Sequence, residues 1–147
     1  MKLSTRGRYG ARFMLDLAMH YGNGPVLLRE VSERQEISIK YLEQLIPSLR
    51  AAGLVKSTRG PNGGYHLTKP SSEITLYDVI KTLEGPLAMT ECVEDPAFCH
   101  RSSTCATHEL WAEVSGKIVE VLSSVTLEEI AERQRNSEGA HAMLYHI

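Results

Sequence analysis

Glu36-Ile37-Ser38-Ile39-Lys40-Tyr41-Leu42-Glu43-Gln44-Leu45-Ile46-Pro47-Ser48-Leu49 is the stretch on which the fold turns. Ser38 has the chemistry of an N-cap, a short side-chain oxygen that accepts from the first free amides of a helix. Leu42, Leu45, Ile46 and Leu49 then recur at three and four residues, the period of one helix face. The helix predicted here runs from Ile39 to about Ala52 and is closed by Gly53. Pro47 removes one backbone hydrogen bond inside it. A bend is expected rather than a break, because the apolar stripe continues past the proline. Upstream, Leu28 to Gln35 predicts another helix with Val31 facing inward, and only Glu36-Ile37 separates the two. Two short helices joined by a tight turn, the second well capped, read as a helix-turn-helix. The outward residues near the start of the later helix are Ser38, Lys40, Tyr41, Glu43 and Gln44, types that hydrogen-bond base edges or phosphates.

Upstream again, Ser4 or Thr5 caps a helix predicted to reach about Tyr21, with Tyr9, Phe13, Leu17 and Met14, Ala18, Tyr21 at helical spacing. Gly22-Asn23-Gly24-Pro25 ends it. Arg6, Arg8 and Arg12 lie on its early turns and are read as phosphate contacts rather than a merely solvated face. Downstream, Leu54–Arg59 and Tyr65–Lys69 alternate on either side of Gly60-Pro61-Asn62-Gly63-Gly64, which is a hairpin signature. A hairpin directly after a helix-turn-helix is a wing. Arg59 sits at its tip, where the negative potential of a minor groove attracts arginine. Gly60 and its fellow glycines let the turn lie flat against a sugar–phosphate backbone. Thr75 is expected to cap a short helix, Leu76 to Glu84, with Leu76, Val79, Ile80 and Leu83 buried.

All three cysteines fall in the next segment, spaced C-x6-C-x5-C-x2-H from Cys92 through Cys99 and Cys105 to His108. Thiolate is the soft ligand that iron–sulfur clusters and zinc select. Pro96 and Ser102-Ser103 favour an irregular loop that can turn sulfurs toward one point. Cys105 and His108 stand three apart where a helical pattern begins, so they share a helix face. A disulfide with one thiol left over is the weaker reading, because the count is odd and nothing else indicates an oxidising compartment. Cys3His is also an accepted zinc set, and His100 is an alternative to His108 as fourth ligand. His108 is preferred because its helix would fix it.

A long helix is predicted from about Thr104 to Ser123. Trp111, Val114, Ile118, Val121 and Val125 repeat at 3, 4, 3, 4, the spacing of a helix–helix seam. Little chain remains to cover that stripe, so a partner subunit is expected to do so. Thr126-Leu127-Glu128-Glu129 matches a capping box for a last short helix to about Gln134. Residues 136–147 are expected to form a flexible tail.

Charge is divided unevenly. Residues 1–70 carry 11 Lys/Arg and 5 Asp/Glu, a net +6, whereas residues 71–147 carry 5 and 13, a net −8; together these give the chain's −2. A basic first half predicts a polyanion partner, double-stranded DNA, and argues against a wing-and-helix protein that binds only other proteins. No C-x-x-C and no catalytic His/Ser or carboxylate set is present, so neither an enzyme nor a small-molecule substrate is expected. No apolar run approaches a membrane span and no secretory signal opens the chain, so a cytoplasmic location is expected. The fold class expected is mainly α with a small β-hairpin. A winged helix-turn-helix domain over 1–85 is followed by a metal loop over 86–108, then a long dimerisation helix and a closing short helix over 104–135.

Lys2–Tyr9, Ile37–Leu45 and Arg59–Tyr65, taken with the cysteine loop, closely resemble the iron–sulfur cluster regulators, a winged-helix group of bacterial transcription factors. The resemblance covers nearly the whole chain. It implies a homodimer, formed through the long helix packing against the partner's DNA-binding domain, that controls cluster-biogenesis genes. It implies a 2Fe–2S cluster held by Cys92, Cys99, Cys105 and His108, with one extra residue between the first two cysteines. It also implies DNA contacts at Ser38, Tyr41, Glu43, Gln44 and Arg59, with Glu43 helping to select the DNA motif. Lys40 differs from the best-known relatives and is expected to touch phosphate. Similar siblings that sense nitric oxide or redox state take a ligand from the first helix. Arg8 and Arg12 occupy the positions expected for it, and arginine is no such ligand.

Overall fold

A computed structural model describes residues 2–145. The element order is α1 (Thr5–Met19), α2 (Leu28–Gln35), α3 (Ile39–Ala51), β1 (Val55–Thr58), β2 (Gly64–Leu67), α4 (Leu76–Glu84), α5 (Glu91–Glu94), α6 (Ala106–Ser123) and α7 (Leu127–Tyr145), with short 3-10 turns between some of them. The architecture is therefore mainly helical with one antiparallel hairpin.

α1, α3 and α4 each start on a side-chain oxygen that the sequence places one residue before the helix. Ser4 accepts from Gly7 N at 3.1 Å, and Ser38 accepts from Tyr41 N at 3.1 Å. Thr75 and Asp78 form a reciprocal capping box at the start of α4. α2 is the exception, because Leu27 stands at its N-cap and gives no side-chain bond. Glu36 takes the left-handed conformation, φ 54°, and its amide returns to Ser32 O, which makes the turn between α2 and α3. α3 runs through the exposed Pro47 to Ala51. α1 ends at Met19, and Tyr21, expected on its apolar face, lies outside the helix and 48 % exposed.

One core joins these elements. Phe13, Met14 and Leu17 of α1, Val31 of α2, Leu42, Leu45 and Leu49 of α3, and Val79 of α4 are all buried. Side chains of this kind contribute about 1.5–3 kcal/mol each on full burial. α1 and α4 pack closely at Gly10, where an added Cβ would come within 1.9 Å of Leu83 Cδ1. Val55 and Leu67, cross-strand partners, turn the hairpin's inner face to the same core. Val26 then pairs with Tyr65, N to O at 2.8 Å in both directions, and ties the α1–α2 connection to β2.

The C-terminal part departs from expectation in two places. Leu76 N donates to Val125 O at 2.8 Å and Leu127 N to Ile74 O at 2.9 Å, which brings the chain back to the start of α4. Leu127 and Ala131 are buried in the main core. Val125 thus lies beyond the end of α6, tied to α4 rather than continuing the seam. The closing helix is also longer than expected. It does not stop near Gln134 but continues to Tyr145, with residues 136–145 exposed. No proline interrupts it, and Ala140, Ala142, Met143 and Leu144 all favour helix. The last two residues of the expected tail, 146–147, lie outside the described residues.

Candidate functional site

In the first half, α3 and the wing both present polar residues to solvent. Ser38, Lys40, Glu43 and Gln44 are exposed along α3, and Arg59 and Gly60 are exposed at the hairpin turn. Gly63 N donates to Gly60 O at 2.9 Å, which closes that turn. Tyr41 is half-buried and stands edge-on to Tyr9 of α1, with ring centres 5.4 Å apart and planes at 82°. Tyr9 in turn lies under the guanidinium groups of Arg8 and Arg12, at 5.6 and 5.5 Å. The three arginines of α1 are not equivalent. Arg8 is exposed. Arg6 donates to Ser48 Oγ of α3 at 2.6 Å, and Arg12 donates to the side chain of Gln35 at 3.3 Å and to its carbonyl. These bonds brace α1 against α2 and α3, a role that residue type alone does not reveal. Arg50 was not anticipated. It is exposed and lines a cleft of about 450 Å³ with Leu28, Arg59 and Gly60. It follows Glu43 by seven residues, two helical turns along one face, and that spacing is the signal that points to it.

The cysteine segment folds over the start of α6. Met89 N donates to Ser115 Oγ at 2.9 Å, anchoring the loop to that helix. Cys92, Cys99 and Cys105 are free and half-buried. His108 Nδ1 lies 3.2 Å from Cys92 Sγ, and Thr90 Oγ1 lies 3.1 Å from the same sulfur. Cys99, His100 and His108 line one open cavity of about 450 Å³. Cys105 occupies the N-cap position of α6, with Sγ 3.1 Å from Thr107 Oγ1. That hydrogen bond, with further help from the His108 backbone amide and the Arg101 charge, lowers the thiol pKa below its ordinary value. A lowered thiol pKa favours the thiolate, the form that binds metal. So the structure joins Cys92 to His108, and Cys99 borders the cavity on the other side of the His108 ring together with His100. Among the described residues, no three such donors yet converge on one point. The donor set itself, three thiols and an imidazole on one short segment, fits a 2Fe–2S centre or zinc by ligand softness.

α6 is sparsely covered by its own chain. Ser115 is its one fully buried residue. Trp111, Val114 and Ile118 are half-buried, while Val121 is 61 % and Leu110 48 % exposed. Ile118 and Leu122 border an apolar groove whose other walls include Leu3, Ile80 and Leu87.

The Rrf2 family profile, described as an iron-dependent transcriptional regulator, matches residues 3–133. The chain belongs to the Rrf2 family. Like its relatives it is a transcriptional regulator built on a DNA-binding winged helix. It is 46 % identical to the regulator IscR of Photorhabdus laumondii over 91 % of this chain and 81 % of that one. Among solved structures it is similar to CymR, the global cysteine regulator of B. subtilis, with a TM-score of 0.78 and 43 % identity over 90 % of this chain and 98 % of that one. It is equally similar to T. potens IscR, with a TM-score of 0.77 and 42 % identity over 93 % and 90 %. Among the described residues of this Rrf2 chain, no helix is long and apolar enough to cross a membrane.

Proposed function

We propose that this Rrf2-family regulator binds duplex DNA as a homodimer and senses iron–sulfur supply through a 2Fe–2S cluster held by Cys92, Cys99, Cys105 and His108. The observation that carries the proposal is the contact between Cys92 and His108, 3.2 Å apart although 16 residues separate them, in a segment that supplies every thiol of the chain. When bound, such a cluster supplies an oxidation- and supply-sensitive centre, and a histidine ligand raises its potential relative to an all-thiolate site. The chain's own residues do the coupling. Cys105 and His108 belong to the first turn of α6, so drawing them toward Cys92 and Cys99 fixes the loop on the helix that carries the subunit seam. α6 packs on α4, and α4 packs on α1. α1 in turn holds α3 through Arg6 and Tyr9. On the DNA face, Arg59, Arg8 and Lys40 neutralise phosphates, while Ser38, Glu43 and Gln44 meet base edges or position α3.

The test is purification without oxygen, followed by visible absorption and analysis for iron and zinc. Coloured, iron-containing protein is expected, and His108→Ala should lose the colour faster than His100→Ala. A colourless protein that takes up no iron on reconstitution overturns the sensor. Stoichiometric zinc on the same residues replaces it with a structural site. A second reading, a thiol- or redox-sensing sibling, is favoured by the likeness to CymR and by the lowered Cys105 pKa. Reversible oxidation that changes DNA binding in metal-free protein would select it.

A further inference from the structure

Tyr9 is not one of the proposed DNA contacts, yet its ring is where three side chains of the DNA-binding half meet. It is half-buried and packs on the main core. Tyr41, on the first turn of α3, stands edge-on to it with ring centres 5.4 Å apart. The guanidinium carbons of Arg8 and Arg12 lie over the same ring, 5.6 and 5.5 Å from its centre. The two arginines differ in what else holds them. Arg12 gives N–H groups to the side chain and the carbonyl of Gln35. Arg8 is exposed and, among the described residues, joins no side-chain hydrogen bond and no ion pair. An aromatic face attracts a guanidinium through its quadrupole and uses none of the five N–H donors. An arginine held in this way is already oriented, and its planar fork is left for a bidentate bond to phosphate.

We infer that Tyr9 is a positioning residue for DNA binding, whose ring presents the Arg8 guanidinium beside the start of α3 with its donors open to phosphate. The inference rests on the reading of Arg8 as a phosphate contact. The ring carries the role, not the hydroxyl. Tyr41 fixes that ring from the side of α3, and the amide of Tyr41 is itself bound by the Ser38 cap. The charge supplied by α1 is thereby kept in place relative to the side chains that α3 turns to DNA.

The probe is a mixed-sequence duplex, bound by the full-length chain at several salt concentrations, because phosphate contacts are independent of sequence. Arg8→Ala should weaken binding and flatten the salt dependence by about one unit of slope. Tyr9→Met removes no charge and refills the space with a flexible apolar side chain. It should weaken binding about threefold or more and flatten the slope in the same direction. Tyr9→Phe keeps the ring and should stay within about twofold of the parent chain. In the Tyr9→Met background, Arg8→Ala should cost a smaller fold-change than in the parent, because the two act through one contact. A tyrosine that only supports the fold would leave the slope of Tyr9→Met unchanged and the two losses independent, and that result overturns the inference. Equal losses in Tyr9→Phe and Tyr9→Met overturn it too, since the hydroxyl would then be the contact. An unaltered slope in Arg8→Ala traces the failure to the reading of Arg8 and removes the inference with it. The unsubstituted chain gives a further check that needs no variant to fold. Its Arg8 δ-methylene protons, held over a ring, should resonate upfield of those of an unstructured arginine, and unshifted signals overturn the platform.

Discussion

Asp16 of α1 receives two hydrogen bonds from Arg34 of α2, from Nε at 3.0 Å and from Nη2 at 2.8 Å, although the carboxylate is only 1 % exposed. Gln35 Nε2 adds a third at 3.1 Å. The hydrogen bond to Asp16, opposed in part by burial, raises the Arg34 pKa above its ordinary value. This clamp fixes the first helix of the helix-turn-helix against α1.

Removing the guanidinium leaves a buried carboxylate with one neutral donor. Breaking a buried pair in this way costs about 3–5 kcal/mol, and partial exposure of Arg34 places Arg34→Met near the lower end. Urea unfolding should show the loss as a lower midpoint with an unchanged slope. A change under about 0.5 kcal/mol, the size expected of an ordinary surface substitution, would mean the clamp is decorative.

Arg59 and Gln44 are expected to fail differently. An arginine that neutralises phosphate or sits in a minor groove acts through charge, so Arg59→Ala should flatten the dependence of DNA affinity on salt by about one unit of slope. Gln44→Ala should keep the slope and cost about 1–3 kcal/mol on a preferred sequence only. Fluorescence anisotropy at several salt concentrations separates them. Identical slopes for Arg59→Ala and the parent chain would remove the wing from the interface.

Much of this face was legible because its determinants are local. A serine before an apolar stripe fixes where α3 begins, and a threonine with an aspartate three residues on fixes α4, whatever the rest of the chain does. The clamp was not legible, since nothing in a pattern pairs residues 16 and 34 before two helices have packed. Arg6 and Arg12 read as phosphate contacts for the same reason: their partners, Ser48 and Gln35, arrive from other helices. Val125 continued the seam arithmetically, yet the backbone of the α6–α7 link is claimed by Leu76. Polarity after Gln134 reads as a loose tail, whereas a polar helix without a breaker still satisfies its own backbone bonds, and α7 continues to Tyr145. In the cysteine loop, spacing points to three thiols and a histidine, and the 3.2 Å contact of Cys92 with His108 depends on how the loop folds back on α6.

Val121 tests the subunit seam. It is 61 % exposed on a helix whose other seam residues are half-buried, so its own chain leaves it uncovered. Val121→Asp should therefore spare the fold of the subunit while placing a carboxylate in an apolar interface, where an unpaired charge is costly. Sedimentation should show dimers for the parent and monomers for the variant, with unchanged helical content. Dimers of undiminished affinity would move the interface away from this face of α6.

His66 gives the chain a stability that depends on acidity. Desolvation first, and the nearby Lys56 charge second, lower its pKa in the folded state below 6.5. In the unfolded chain it protonates near the ordinary value, about 6.5. Above that pH both states hold a neutral ring and the residue makes no difference. As pH falls below it, the unfolded chain takes up a proton that the folded chain refuses, so stability declines until the lower folded value is passed. Carboxylates and other histidines add their own slopes, so the informative quantity is the difference between the parent chain and His66→Gln. Measured by urea unfolding from about pH 8 to about pH 5, that difference should be flat above the unfolded pKa and should shift in favour of the variant below it. Parallel curves throughout would mean that His66 is as well solvated in the folded wing as in the unfolded chain.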